Sequence, residues 1–176
     1  MKRGLLAAVI VWLGISCGGG SSAPTAPAAP TIANAAGVWV GNVTQTSATS
    51  STGECATLYQ LSNGLSDRFT ASITQSSTTL TATASSQTSG SSCAYSGTAG
   101  TNNITLNATS CTVNFMQGTC NGFARDMYLA ARSVTGTVSG NTMTGTVGET
   151  WNVFVRGTTA NGIGIVTVTN SFSFTR

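Results

Sequence analysis

From residue 37 onward, apolar residues alternate with serine, threonine and asparagine in short runs, broken by glycine and asparagine. Alternation with a period of two marks a strand with one buried and one wet face. The clearest case is the nearly palindromic stretch Val134–Val147. With Gly140-Asn141 as its loop, Val134 pairs with Val147, Gly136 with Gly145 and Val138 with Met143 on one face. Threonines fill the other face, and Gly-Asn suits a tight hairpin turn. Extending the register sets Arg132 opposite Glu149, on the face of Trp151. The run Met127–Ala131 is apolar on both parities, so the register is weakest there, and a bulge near Ser133 would turn Arg132 outward.

The same pattern predicts strands elsewhere. Gly37–Val43 is the first, followed by a polar run, Thr44–Thr52, and a short helical turn over 54–61. Arg68–Gln75 and Thr79–Ala84 form a hairpin; Ser76-Ser77 as the loop sets Ile73 opposite Leu80 and Ala71 opposite Ala82. Cys93–Ala99 and Asn103–Ser110 form another, with Tyr95, Gly97 and Ala99 facing Ala108, Leu106 and Ile104. Phe123–Val138 and Met143–Arg156 extend the palindromic hairpin. Asn161-Gly162 then turns the chain into Ile163–Phe174, setting Val155 opposite Val168 and Trp151 opposite Phe172.

Eight sequential strands, each with one apolar face, suit an antiparallel up-and-down barrel with that face inside. A β-sandwich is the alternative. A membrane barrel would turn its apolar face outward to lipid, with aromatic girdles, whereas a soluble barrel buries that face inside, and the soluble form is the expectation here. On this register Glu149 falls level with Phe174, near Trp39, and the Gly140-Asn141 tip projects beyond the rim unless another strand covers it.

The N-terminus changes the picture of where the barrel sits. Met1-Lys2-Arg3 precedes an apolar run, Leu5–Ile15, then Ser16 and Cys17. This resembles a bacterial lipoprotein signal over 1–16, with Cys17 the lipidated first residue of the mature chain. Gly14 stands where such signals favour an aliphatic residue; an ordinary secretory signal is the alternative. Residues 17–36 read as the lipidated Cys and a Gly/Ser/Ala/Pro tether, and 37–176 as the barrel domain. Gly18, rather than Asp, after the lipidated Cys implies the outer membrane by resemblance to Gram-negative sorting.

Composition fits an exported domain wetted by hydroxyls. Charged residues are 6% of the chain, against 31 Thr and 22 Ser. Past the signal, five arginines stand against four acids, with no basic patch, so nucleic acid is excluded as a partner. Four cysteines remain after Cys17, an even number that points to two disulfides. All four lie at one end of the expected barrel, so proximity permits every pairing. Cys93 faces inward with Tyr95 while Cys111 faces outward, which favours Cys55–Cys93 and Cys111–Cys120. No His and no Cys-x-x-Cys pair exist, so no metal site is expected.

Gly37-Val38-Trp39 on the first strand and Arg176 at the end of the last resemble the Gly-x-Trp and late arginine of lipocalins and their calycin relatives. That resemblance implies a plug at the closed end, with Arg176 over Trp39 and Arg132 as a second candidate. Arg132 and Glu149 are read as an inward ion pair at the same end. The body also resembles small, uncharacterised Ser/Thr-rich bacterial lipoproteins, which implies location rather than activity.

No nucleophile–base set and no carboxylate pair suggests catalysis, so the expected protein is not an enzyme and needs no cofactor. Adjacent Asp67-Arg68 and Arg125-Asp126 read as solvated strand ends. The interior sets small residues on one wall against large ones on the other. Phe69, Tyr95, Leu106, Trp151 and Phe172 are the candidate lining of a cavity. The expected function is a monomeric, membrane-anchored envelope lipoprotein binding a small hydrophobic or amphipathic molecule inside the barrel. The alternative is a structural or interaction lipoprotein with a filled core.

Overall fold

The structure, a computed structural model, describes residues 31–51, 55, 64–159 and 162–176. Residues 1–30, with the signal and most of the tether, lie outside this set, as does all of the expected helical turn at 54–61 except Cys55.

Among the described residues, nine strands form one antiparallel sheet: β1 (Gly37–Ser50), β2 (Ser66–Ser76), β3 (Thr79–Ser86), β4 (Ser92–Ala99), β5 (Asn103–Cys111), β6 (Phe115–Cys120), β7 (Phe123–Ser139), β8 (Thr142–Val155) and β9 (Gly164–Thr175). Neighbours follow chain order, β1 pairs with β9, and β5 pairs with β7. Eight strands thus close an up-and-down, lipocalin-like barrel, and closure excludes the sandwich. The ninth, β6, pairs only with β7 among the described residues and lies outside the barrel.

The palindromic hairpin forms in the expected register, from Ser139 opposite Thr142 down to Arg132 opposite Glu149. Gly140 adopts φ 57°, the conformation the first loop position of such a turn needs. The β4–β5 hairpin also pairs as expected, with Ala99 opposite Ile104 and Tyr95 opposite Ala108.

Two other registers differ. In β2–β3 the pairs are Ile73 with Ala82 and Ala71 with Ala84, because the loop is Ser77-Thr78, with Ser77 at φ 55°. In β8–β9, Trp151 pairs with Val166, and Phe172 pairs with Gly145. The expected partners were Phe172 and Val168 for Trp151 and Val155; instead β8 ends at Val155 and a wider connection follows. Asp126 holds that connection: its Oδ2 accepts from Gly157 N at 2.8 Å, and its Oδ1 lies 3.8 Å from Arg156 Nε. Both shifts are even, so the paired residues keep their predicted faces, while Val155 lies beyond the β8–β9 pairing and is exposed.

The β8–β9 shift removes the projecting tip. Thr175 pairs with Thr142, so β9 runs alongside β8 to the Gly140-Asn141 turn. β1 is longer than expected because Thr46 bulges and Ser47–Ser50 continue to pair with β9. A further bulge, at Ala130 in β7, resolves the doubly apolar run. Met127 and Leu129 face inward before it, and Arg132, Val134, Gly136 and Val138 after it.

Apolar burial divides into two clusters. Inside the barrel, Trp39, Ile73, Leu80, Tyr95, Ile104, Leu106, Met143, Phe172 and Phe174 pack together. Where β1, β7, β8 and β9 run on past the closed barrel, Ala48, Met127, Trp151, Val153, Val166 and Val168 pack with Cys55 and Cys120. Outside, register aligns hydroxyls from strand to strand, from Thr98 through Thr105, Thr135, Thr146 and Ser171 to Thr44. That row gives the surface its water affinity without charge.

Candidate functional site

The closed end is built from the two ends of the barrel domain. Trp39 is fully buried, and its Nε1 donates to Ala35 O at 2.8 Å. Gln75 clamps the preceding segment, donating to Ala33 O and accepting from Ala35 N. The Arg176 guanidinium lies 4.7 Å from the Trp39 ring centroid. Arg176 also donates to Ala36 O at 2.7 Å and Gly140 O at 3.1 Å, and so ties the N-terminal segment to the hairpin tip. The Trp39–Arg176 stack therefore occurs as the lipocalin resemblance implies. Replacing Arg176 with methionine keeps the stem over the ring but loses the charge and its hydrogen bonds; it should cost about 1–2 kcal/mol in urea unfolding.

Arg132 and Glu149 do not belong to this end. Glu149 pairs with Val168, which pairs with Ala48, nine positions along β1 from Trp39. Their expected place beside Trp39 followed from the displaced β8–β9 register. Both face inward and are largely buried, with Arg132 Nε 3.3 Å from Glu149 Oε1. Trp151 Nε1 donates to Glu149 Oε2 at 3.0 Å, and Arg132 Nη1 donates to Cys93 Sγ at 3.4 Å. The pair thus separates the two apolar clusters. Tyr95 lies within its field: burial pushes the phenol above its ordinary value, Arg132 lowers it and Glu149 raises it.

The enclosed cavity is small. It measures about 40 Å³ and is walled by Phe69, Tyr95, Leu106 and Phe172, as expected, along with Arg132. Trp151 does not reach it and packs in the second cluster instead. A space of this size holds a water or two, whereas ligand sites typically occupy roughly 300–1,000 Å³. Large residues from β9 fill what the small residues of β2–β5 leave open.

The mouth is a crevice walled by Val43, Leu65, Phe69 and Asp67, with Arg132 and Glu149 below. Asn170 also lines it, 8% exposed, and no side-chain hydrogen bond joins its amide to another described residue. Asp67 is not a bare strand end. Burial alone would raise its pKa, but hydrogen bonds from the Ser86 and Thr88 side chains and from backbone N–H groups outweigh that and hold it below its ordinary value of 3.8. A lowered carboxyl stabilises the fold above its unfolded pKa, and that contribution is lost as pH falls through the folded value. Asp67→Asn should therefore flatten the loss of stability below about pH 4, read from urea midpoints across an acid series.

The disulfides are Cys55–Cys120 and Cys93–Cys111, in place of the expected Cys55–Cys93 and Cys111–Cys120. The facing argument fails at Thr109. That residue bulges from β5, so Cys111 falls opposite Cys93 and turns toward it. Among the described residues, no group of His, Cys, Asp or Glu could hold a metal ion. No family model, curated protein or solved structure matches this chain.

Proposed function

We propose that this chain is a non-enzymatic lipoprotein of the cell envelope, anchored through Cys17 to the outer membrane, that works through its surface. The interior of the barrel serves as structural core. One observation carries the reading: the interior space beside Phe69, Tyr95, Leu106 and Phe172 is about 40 Å³, whereas the larger crevice at the mouth, about 370 Å³, is open to solvent. The sequence supplies the anchor, and the row of aligned hydroxyls supplies an uncharged outer face. Titration with N-phenylnaphthylamine, a dye that brightens in apolar cavities, tests it. Native protein should give no saturable enhancement; saturable binding that quenches tryptophan emission would overturn the reading. Palmitate labelling and membrane fractionation should both be lost in Cys17→Ser.

The second reading, binding of a small amphipathic molecule, is favoured by Asn170. Its amide lines the crevice beside Val43, Leu65 and Phe69 and offers two N–H donors and one acceptor oxygen next to apolar surface. Such a ligand would sit at the mouth, above Arg132 and Glu149, rather than inside the barrel.

A further inference from the structure

Cys93–Cys111 lies where the barrel wall is thinnest. β5 pairs with β7 only over Asn103–Asn107. Farther along, β7 bulges at Ala130 and pairs with β6 instead. The strands part there, leaving an open cleft lined by Ser110, Cys111, Asn114, Leu129 and Arg132. The two cysteines differ in access. Cys93 is 5% exposed and faces the interior, whereas Cys111 is half-buried and lines the cleft. They differ in electrostatics too, because Arg132 Nη1 donates to Cys93 Sγ.

Thiol–disulfide exchange requires a thiolate to approach one sulfur in line with the S–S bond. The other sulfur departs with the electron pair. Access selects Cys111 as the sulfur attacked, so Cys93 must be the one that leaves. Burial opposes a charged leaving sulfur, but a guanidinium already hydrogen-bonded to it favours the thiolate.

We propose that Cys93–Cys111 is a thiol-exchange site. A small-molecule thiol enters the cleft between β5 and β7 and forms a mixed disulfide on Cys111, and Cys93 is released as a thiolate held by Arg132. The attacking sulfur bonds to Cys111 Sγ as the Cys93–Cys111 bond breaks, and the thiol's own proton passes to solvent. A second thiol attacking the mixed disulfide would complete the reduction, leaving Cys111 as a thiol and releasing the small-molecule disulfide. This chemistry requires neither the lipid anchor nor a ligand. Cys55–Cys120 is its internal contrast, with both sulfurs buried.

The test uses the native, oxidised protein and reduced glutathione, with acid quench, alkylation and peptide mass mapping. Glutathione is expected on Cys111 and the alkyl label on Cys93, while Cys55–Cys120 stays intact. A cation that lowers the leaving thiol by about two pKa units speeds its departure about tenfold at a sensitivity of roughly 0.5. Arg132→Met should slow the exchange by that factor, and Arg132→Lys should restore most of it. An adduct on Cys93, equal reaction of both disulfides in the wild type, or an undiminished rate in Arg132→Met would each overturn the assignment. Should Arg132→Met unfold, both its disulfides will react together, and the wild-type map alone decides.

Discussion

Gly145→Val is expected to be among the most damaging single substitutions in the barrel, with Gly41 and Gly97 the comparable positions, costing about 3 kcal/mol or more, at the upper end of over-packing effects. A Cβ at Gly145 would overlap the Thr135 carbonyl and come within 2.6 Å of Gly136 Cα and 2.9 Å of the Phe172 ring. The obstacle is neighbouring backbone, which cannot step aside. Gly136 is different, because a Cβ there meets the tip of the Phe172 ring at 2.8 Å as well as Thr144 O at 2.9 Å. These paired glycines of the palindromic hairpin make the space that Phe172 fills. A double-mutant cycle separates the two cases. In a Phe172→Ala background, Gly136→Ala should become cheaper, whereas Gly145→Ala should stay as costly as before. Urea midpoints for the seven proteins, Gly145→Val included, provide the measurement, and a Gly145→Val cost under about 1 kcal/mol would mean this face is not packed as described.

Removing Cys55–Cys120 should be the other large effect. The bridge spans 65 residues and Cys93–Cys111 spans 18. On the chain-entropy account, losing the longer loop costs about 4 kcal/mol and losing the shorter about 3 kcal/mol. The longer bridge also has a local role, since both its sulfurs are buried against Met127, Trp151 and Val153 in the second cluster. The double replacement Cys55→Ala, Cys120→Ala should therefore lose amide-exchange protection first in β6 and the adjoining half of β7. The barrel around Trp39 should stay protected. Equal loss of protection across both clusters would show that they do not unfold separately.

Much of the fold was legible because alternation fixes which face a residue takes. The palindromic hairpin was legible down to the Arg132–Glu149 pair, since its loop and both strands agree. What alternation cannot fix is pairing. A slip of two residues, as in β2–β3, or a larger even slip, as in β8–β9, leaves the paired residues on their faces. Only the loop chooses, and the Asp126 contacts that hold the β8–β9 connection join residues far apart in sequence. Single-residue bulges at Thr46, Thr109 and Ala130 were the other gap. Only the one at Ala130 left a trace, as a run apolar on both parities. The Thr109 bulge alone reversed the disulfide argument.

β6 carried a readable signal. Asn121-Gly122 is the strongest short hairpin turn and adopts φ 51° and 81° between β6 and β7. Glutamine and glycine within Phe115–Cys120 hid the strand on its near side. The closed end was legible because Trp39 and Arg176 stand at opposite ends of one domain and a barrel brings those ends together. The degree of filling was not, because the space left by small residues depends on register.

The filled interior is most directly tested by native mass spectrometry of the protein taken from its own membrane. The account predicts a mass explained by the lipid-modified chain with two disulfides and nothing more. A stoichiometric small molecule that stays bound to the folded protein and leaves on unfolding would contradict it.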